Sequence, residues 1–365
     1  YAPQTVKNIL IALGFGIEGE TVEGLHLTVP SNKTDVKQPA DIVEEILRID
    51  GLDNIAIPQK LNIDLVKGLP NDRDKRERVA QVLQGYGFQE IVTNSIVNSK
   101  YYPNQEGLVR MLNSLSNDLD VMRPSMLESG LEVIQYNYNR KNKDLKLFEF
   151  GRTYQHAGGA YQEQDTLGIW MTGNTATAQW NQKAKGTDVF YVKGIVHNLA
   201  ERCGIAGLKT TQDEQNITWK YKNIAICTAQ KVPVKTLDAF DIKQDTYYVA
   251  ILWQEWLKAM NVKGIRYKEV SKYPAVQRDL ALVLDKTSTY GEVMALTEQL
   301  KLNALTDVSL FDVFESEKLG ADKKSYAVSY SFQLQDRTLT DVEIDEMMQQ
   351  LITVYTTKLN AQIRA

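Results

Sequence analysis

The sequence predicts an α+β multidomain protein. It divides into a small helix-rich module over 1–60, a mixed α/β domain over 71–262 and a C-terminal ferredoxin-like βαββαβ domain over 268–365. Three observations predict this. A chain of 365 residues with 43% hydrophobic and 24% charged content has an ordinary globular composition and room for two or three cores. Its apolar residues recur at helical spacing in some segments and alternate strictly in others. In the last hundred or so residues these patterns follow the order strand, helix, strand, strand, helix, strand.

The module opens with Val6, Ile9, Leu10 and Leu13 at helical spacing. Gly14, Gly16 and Gly19 then spell GxGxxG. A dinucleotide fingerprint needs a strand before its glycines and a helix after them. Here a helix precedes and the polar run EGETVEG follows, so the glycines are expected to end the helix and turn the chain into a short hairpin region through Leu25 and Val29.

The run SNKTDVKQPADIVEEILRIDGLDNI comes next. Pro39 restricts the residue before it, and Ile42, Ile46 and Ile49 recur at helical spacing, which predicts a helix starting at Asp41. Asp35, Asp41, Glu44 and Glu45 place four carboxylates within eleven residues, three of them on the first helical turn and Asp35 in the preceding loop. Two roles compete. Asp41 as N-cap with Glu44 three residues later reads as a capping box, and Glu44 can pair with Arg48 at i+4. The same oxygens suit Mg²⁺, which usually needs only one or two carboxylates plus waters or phosphates. From the residues alone, capping and solvation have the stronger claim.

The middle domain opens near Asn71 with DRDKRERVAQVLQGYGFQEI, where Val79, Val82, Leu83 and Tyr86 mark an amphipathic helix and Gly87 its end. Ser125 with Glu128 reads as a second capping box, starting a helix through Leu131, Ile134 and Tyr138. DLKLFEFGRTYQ, TLGIWMTG, NIAICTAQ and YYVAILWQ read as strands of a buried sheet, with a helix through Ile195, Leu199 and Cys203 among them. Arg123, Glu149 and Arg152 imitate a nucleotide site, but a structural role is simpler, with Glu149 and Arg152 pairing at a strand end.

In the terminal domain QRDLALVLD, a helix through Val293, Leu296 and Leu300, DVSLFDVFES, KKSYAVSYSFQLQ, a helix from Thr340 and AQIRA complete βαββαβ. Tyr326, Val328, Tyr330, Phe332 and Leu334 share one face of the third strand, and Ala327, Ser329, Ser331 and Gln333 the other. The aromatic row is therefore expected to face the helices. That disfavours the outward base stacking of an RNA-recognition motif and leaves a polar face for a different contact. Arg278, Lys323, Lys324 and Arg337 flank these strands or lie in the loops between them, and are the candidate RNA-binding cations. Asp322 and Asp336 partly offset them.

A net charge of −4 and a pI near 5.6 exclude a chain coated in basic surface, so any nucleic-acid contact must be regional. Cys203 and Cys227 lack CxxC spacing and fit a reducing interior, while His26, His156 and His197 show neither metal-ligand nor nucleophile–base spacing. No apolar stretch reaches the roughly eighteen residues of a membrane span, and no secretory h-region is visible, so a cytoplasmic chain without membrane contact is expected. Residue 1 is Tyr and a helical pattern begins almost at once, which reads as an excised or truncated piece.

Three ordered stretches resemble the C-terminal part of the bacterial phenylalanyl-tRNA synthetase beta-subunit family. They are VPSNKTDVKQPADIVEEILRIDGLDNI, then MRPSMLESGLEVIQYNYNRKNKDLKLFEFGRTY, then YPAVQRDLALVLD with LFDVFES and DRTLTDVEI. The third is similar to the ferredoxin-fold anticodon-binding domain, and the resemblance covers essentially the whole chain. Lys33 stands where the family commonly has Arg, and Asp50 and Leu52 where it usually has Tyr. None of these is a candidate metal ligand.

The resemblance implies that the middle domain is class II synthetase-like but without an active site. The GxGxGxxR run with which that class binds ATP is not found between 150 and 267. It also implies a catalytic alpha subunit as partner in an α2β2 heterotetramer, with ATP as substrate of the complex and tRNA(Phe) as the RNA that is charged with phenylalanine. Mg²⁺ is implied near the subunit junction, on acids matching Asp35, Asp41, Glu44 and Glu45. With the resemblance added, the metal role becomes the favoured one for the intact assembly. The family's editing domain lies upstream of the matched region, so this chain is expected neither to edit nor to catalyse alone. Its rivals are a stand-alone RNA-binding or interaction module, and an Mg-dependent phosphoryl-transfer enzyme built on the four acids, beside which no substrate pocket is suggested.

Overall fold

A computed structural model of the chain describes residues 1–60, 62–63, 72–114, 116, 118–213, 215–260, 267, 269–316, 319–320 and 322–364. The expected domain limits at 71, 262 and 268 lie outside the described residues. Backbone contacts form two compact units, one of Tyr1–Lys193, Thr210–Trp219 and Ala225–Leu257, the other of Gly194–Lys209, Lys220–Ile224 and Lys258–Ala365.

In the N-terminal module, α1 (Pro3–Ala12) begins with a proline at its first position, where the missing N–H has no helical partner to lose. Gly14, at φ +87°, then turns the chain into the antiparallel hairpin β1 (Gly16–Glu20) and β2 (Leu25–Thr28). Gly16 and Gly19 lie within β1, Gly19 at a break in register, so the GxGxxG run is hairpin rather than phosphate loop. Helix α2 (Pro39–Asp50) follows. Ile9, Leu10, Phe15, Val36 and Ile46 form the core, with Val6, Leu25, Leu27 and Ile42 against it. Ile49 does not belong to that core. It is 49% exposed, one turn beyond the last buried residue of α2.

The middle segment starts with α3 (Asp72–Gly85), whose Val79, Ala80 and Leu83 are buried, and β3 (Gln89–Glu90). A small antiparallel sheet combines β4 (Ile96–Val97), β5 (Val109–Arg110) and β6 (Val121–Met122) in the order β4-β6-β5. Helix α4 (Leu127–Tyr138) leads to the long hairpin β7 (Leu145–Ala157) and β8 (Ala160–Thr172). The short hairpin β9 (Asn174–Ala176) and β10 (Lys185–Gly186) precedes α5 (Val189–Arg202). Then come β11 (Lys209–Gln212), β12 (Asn216–Tyr221), β13 (Ile224–Lys231), α6 (Val234–Asp238), β14 (Thr246–Leu252) and α7 (Trp253–Ala259). The main sheet has seven strands in the order β11-β12-β13-β14-β8-β7-β3, with β3 parallel to β7, and with β7 and β14 each antiparallel to β8 between them.

The expected Ser125–Glu128 capping box does not form. The N-cap is Met126, which has helical φ and ψ, and α4 begins only at Leu127. Ser125 Oγ instead accepts a hydrogen bond from the Leu127 N–H at 3.0 Å, closing a local turn two residues long.

The terminal domain follows its expected order: β15 (Val276–Asp285), α8 (Tyr290–Gln299), β16 (Leu305–Phe314), β17 (Lys323–Phe332), α9 (Asp341–Leu359) and β18 (Gln362–Arg364). The sheet order is β16-β17-β15-β18. Both helices start with complete capping boxes, Thr289 with Glu292 and Thr340 with Glu343. Strand alternation sends Tyr326, Val328, Tyr330 and Phe332 into one core with Val293, Ile344, Met348, Leu351 and Tyr355. The Tyr355 hydroxyl lies 2.6 Å from Thr297 Oγ1 and 2.9 Å from the Tyr330 hydroxyl, so these buried polar groups satisfy one another. Cys203 and Cys227 are buried and unbridged. Among the described residues no helix is long and apolar enough to cross a membrane.

Candidate functional site

The four acids of the module have different surroundings. Asp41 is not an N-cap. Helix α2 starts two residues earlier than expected, at Pro39, because proline is well accommodated in a first turn, and Gln38 takes the N-cap position. Asp41 is then the third helical residue. Its Oδ2 accepts from the backbone N–H groups of Lys37 and Gln38, both at 2.7 Å, and these bonds lower its pKa. Glu45, not Glu44, is the partner of Arg48, at 2.9 Å, and Lys33 bonds to the same carboxylate. Asp35 and Glu44 are exposed, and both lend charge to Arg48.

These surroundings do not fit a metal ion in the chain by itself. One oxygen of Asp41 is committed to backbone amides, and Glu45 already faces two cationic side chains. Among the described residues no group of three or more His, Cys, Asp or Glu side chains is arranged to hold a metal.

Arg48 first and Lys33 second hold Glu45 down at about 2. The ordinary carboxylate range lies near 4.3. A depressed folded pKa stabilises the folded state above the unfolded value, and that stability disappears as pH falls through the folded one. Melting of the module is therefore expected to be flat above about pH 5 and to decline between there and about pH 2. Glu45→Gln should flatten that decline in a circular-dichroism pH series. An unchanged decline would show that the Glu45 ion pairs do not contribute.

The centre of the seven-stranded sheet has been filled from within. Strand register places Glu149 opposite Gly168, Gly151 opposite Thr166, and Trp170 between Leu147 and Tyr248, all on one face. A Cβ at Gly168 would come within 2.7 Å of the Trp170 ring, and one at Gly130 of α4 within 2.1 Å. A Cβ at Gly151 would meet Arg123 Nη2 at 2.1 Å. These three glycines make room for two large side chains on one face of the sheet.

Arg123 and Glu149 are 1% and 3% exposed. The guanidinium donates through Nε to the Arg152 carbonyl at 2.8 Å, through Nη1 to Thr93 Oγ1 at 2.7 Å and through Nη2 to Glu149 Oε1 at 3.1 Å. Thr93 Oγ1 in turn donates to Glu149 Oε2 at 2.6 Å. The expected Glu149–Arg152 pair is thus replaced by Glu149–Arg123. Glu149 and Arg152 lie on opposite faces of β7, and Arg152 pairs outward with Glu163 and Asp165.

The four candidate cations of the terminal domain do not make one patch. Arg278 shares the face of Leu280, Leu282 and Leu284, and its Nη2 lies 3.3 Å from Asp341 at the start of α9. Arg337 grips Glu343 on the same helical turn, Nη1 to Oε2 at 2.8 Å. At the other end of the β15–β17 ladder, Lys323 pairs with Asp285 at 2.7 Å and Lys324 donates to the Lys286 carbonyl at 2.9 Å. Register puts Arg278 opposite Tyr330 and Asp285 opposite Lys323, a separation of roughly 23 Å along the strand. The polar face carries Asp279, Asp307 and Asp312 around Ala327, Ser329 and Ser331, which is unfavourable for phosphate.

Sequence reasoning missed the roles of Lys33 and Arg123. Lys33 registered only as a departure from a family pattern, and nothing local joins Arg123 to Glu149 across twenty-six positions. The glycines facing Trp170 are likewise unmarked by any short-range spacing.

Three family models match the chain in order. Residues 1–52 match the tRNA synthetase B5 domain, 57–253 the phenylalanyl tRNA synthetase beta chain CLM domain, and 271–364 the ferredoxin-fold anticodon binding domain. The phenylalanine–tRNA ligase beta subunit of Bacteroides fragilis is 38% identical over 385 residues, covering 99% of this chain and 47% of its own length. That of Porphyromonas gingivalis is 32% identical over 99% of this chain and 47% of its own, and that of Streptococcus pneumoniae 30% identical over 98% and 46%. The chain spans about half the length of the curated relatives it matches. With three domain models in sequence and relatives aligned over nearly all of its residues, the chain belongs to the phenylalanine–tRNA ligase beta-subunit family.

Proposed function

We propose that this chain is a non-catalytic beta-subunit portion of phenylalanine–tRNA ligase. It scaffolds a catalytic alpha subunit in an α2β2 assembly and contacts tRNA(Phe) during ATP-dependent attachment of phenylalanine, in the cytoplasm. The observation that carries this reading is the filled sheet centre. Trp170 and the Arg123–Glu149 pair fill one face of the central strands, and three glycines are spent on fitting them, which supports a domain whose sheet carries side chains there rather than a bound substrate. The match to an anticodon-binding domain supports the tRNA contact. Arg278 with Arg337, and Lys323 with Lys324, then act as two separate phosphate contacts at opposite ends of the terminal sheet.

Mg²⁺ at Asp35, Asp41, Glu44 and Glu45 belongs to the assembly in this reading, because Lys33 and Arg48 already compensate Glu45 in the chain alone. Titrating the isolated chain with Mg²⁺ is expected to leave its melting temperature unshifted. Chain reconstituted with the alpha subunit should form a stable hetero-oligomer that chelator weakens. The isolated chain should give no phenylalanine-dependent ATP–pyrophosphate exchange, and charging should require the alpha subunit together with full-length beta. Exchange activity in the purified chain would overturn the division of labour. A saturable Mg²⁺ shift in the chain alone would overturn the placement of the metal.

A further inference from the structure

Of the five tryptophans, Trp170, Trp219, Trp253 and Trp256 are at most 5% exposed, whereas Trp180 is 98% exposed. It stands at the tip of the β9–β10 hairpin. Gln179 and Gln182 exchange backbone hydrogen bonds at 2.8 and 3.2 Å, leaving Trp180 and Asn181 as the two central residues of a tight turn. The hairpin is anchored at its base. The Asn174 N–H donates to Asp144 Oδ1 at 2.7 Å and the Thr187 N–H to the Gly173 carbonyl at 2.9 Å. Gly173, at φ +76°, lies where a Cβ would come 2.4 Å from Asp144, so the sharp bend out of β8 requires glycine. The exposed indole is therefore held out on a closed, hydrogen-bonded element.

The side chains around it have one chemistry. From Asn174 to Thr187 there is no acidic residue, while Lys183 and Lys185 supply charge and Gln179, Asn181 and Gln182 supply amides. All five are exposed, and among the described residues neither lysine has an acidic partner. An aromatic ring offers a stacking platform to any unpaired base, lysines take the adjoining phosphates, and amides reach base edges or ribose. A paired A-form helix hides its base faces and would not use the ring. We propose that the Trp180 hairpin is a second RNA contact, on the middle domain, which stacks an unpaired nucleotide. The proposal rests on the tRNA-contact reading above but assigns this contact to a different domain from the ferredoxin-like one.

Because the other four tryptophans are buried, acrylamide quenching of intrinsic fluorescence in the whole chain reports chiefly on Trp180. A tRNA(Phe) transcript and a short single-stranded oligoribonucleotide are each expected to protect the quenchable component, and a blunt RNA duplex is not. Trp180→Ala should weaken single-strand binding about tenfold at unchanged melting temperature, with Trp180→Phe recovering much of it. Lys183→Ala and Lys185→Ala should each lower the slope of log affinity against log salt by about 0.7. RNA that binds without protecting Trp180 would overturn the stacking contact and leave the tRNA reading intact. Failure of the chain to bind any RNA would overturn both. Protection by the alpha subunit alone, with no further protection from RNA, would reassign the hairpin to a protein contact.

Discussion

Replacing Arg123 by methionine is expected to destabilise the middle domain by about 3–5 kcal/mol, because it strands Glu149 as a buried charge without its counterion. Arg123 satisfies three acceptors from one planar group: the Arg152 carbonyl, Thr93 and Glu149. Lysine at this position should fall well short of arginine, since a compact ammonium cannot reach three acceptors spread around a guanidinium plane. The double variant Arg123→Met, Glu149→Leu removes both charges and should recover much of the loss, as paired ions can often be exchanged for apolar groups of similar volume. All five tryptophans lie between residues 170 and 256, so fluorescence-monitored urea unfolding follows this domain and is blind to the terminal one. A single variant within about 1 kcal/mol of the parent would mean that water or a rearranged Thr93 replaces the guanidinium.

What the sequence discloses depends on how far apart the interacting residues are. The terminal domain was legible because its signals are local. Tyr326, Val328, Tyr330 and Phe332 alternate over seven positions, and Thr340 stands three residues before Glu343. The start of α2 lies two residues before the one the sequence predicts because Asp41 is an equally good acid at N-cap or third position, and only the position of Pro39 within the turn decides between them. Whether Glu45 faces a metal or two cations turns on Lys33, twelve residues away in a loop whose path no periodicity records. The Ser125–Glu128 spacing matched a capping box, but Met126 adopts helical angles without being capped by a side chain. The filled sheet centre was the least legible feature. Gly130, Gly151 and Gly168 come from three different elements, and their common purpose appears only when strand register brings them beneath Trp170 and Arg123.

That shared purpose can be tested by a double-mutant cycle at Trp170. Trp170→Ala is expected to cost about 3–5 kcal/mol, through lost burial, the cavity left behind and the loss of its Nε1 hydrogen bond to the Leu127 carbonyl at 3.2 Å. Gly168→Ala and Gly130→Ala are each expected to cost about 1–3 kcal/mol in the parent chain, because the new methyl must displace the packed ring. In the Trp170→Ala background both substitutions change character: the methyl enters space the indole has vacated and fills part of the cavity. The double variants should therefore be more stable than the sum of the single effects by about 0.5–3 kcal/mol. Gly85, at the end of α3, has no heavy atom within 4 Å of its would-be Cβ, and Gly85→Ala should show no such coupling to Trp170. Coupling confined to Gly130 and Gly168 would establish that these glycines are kept for the indole. Additivity throughout would mean that the sheet centre is loosely packed, and would reopen it as a place where a ligand can bind.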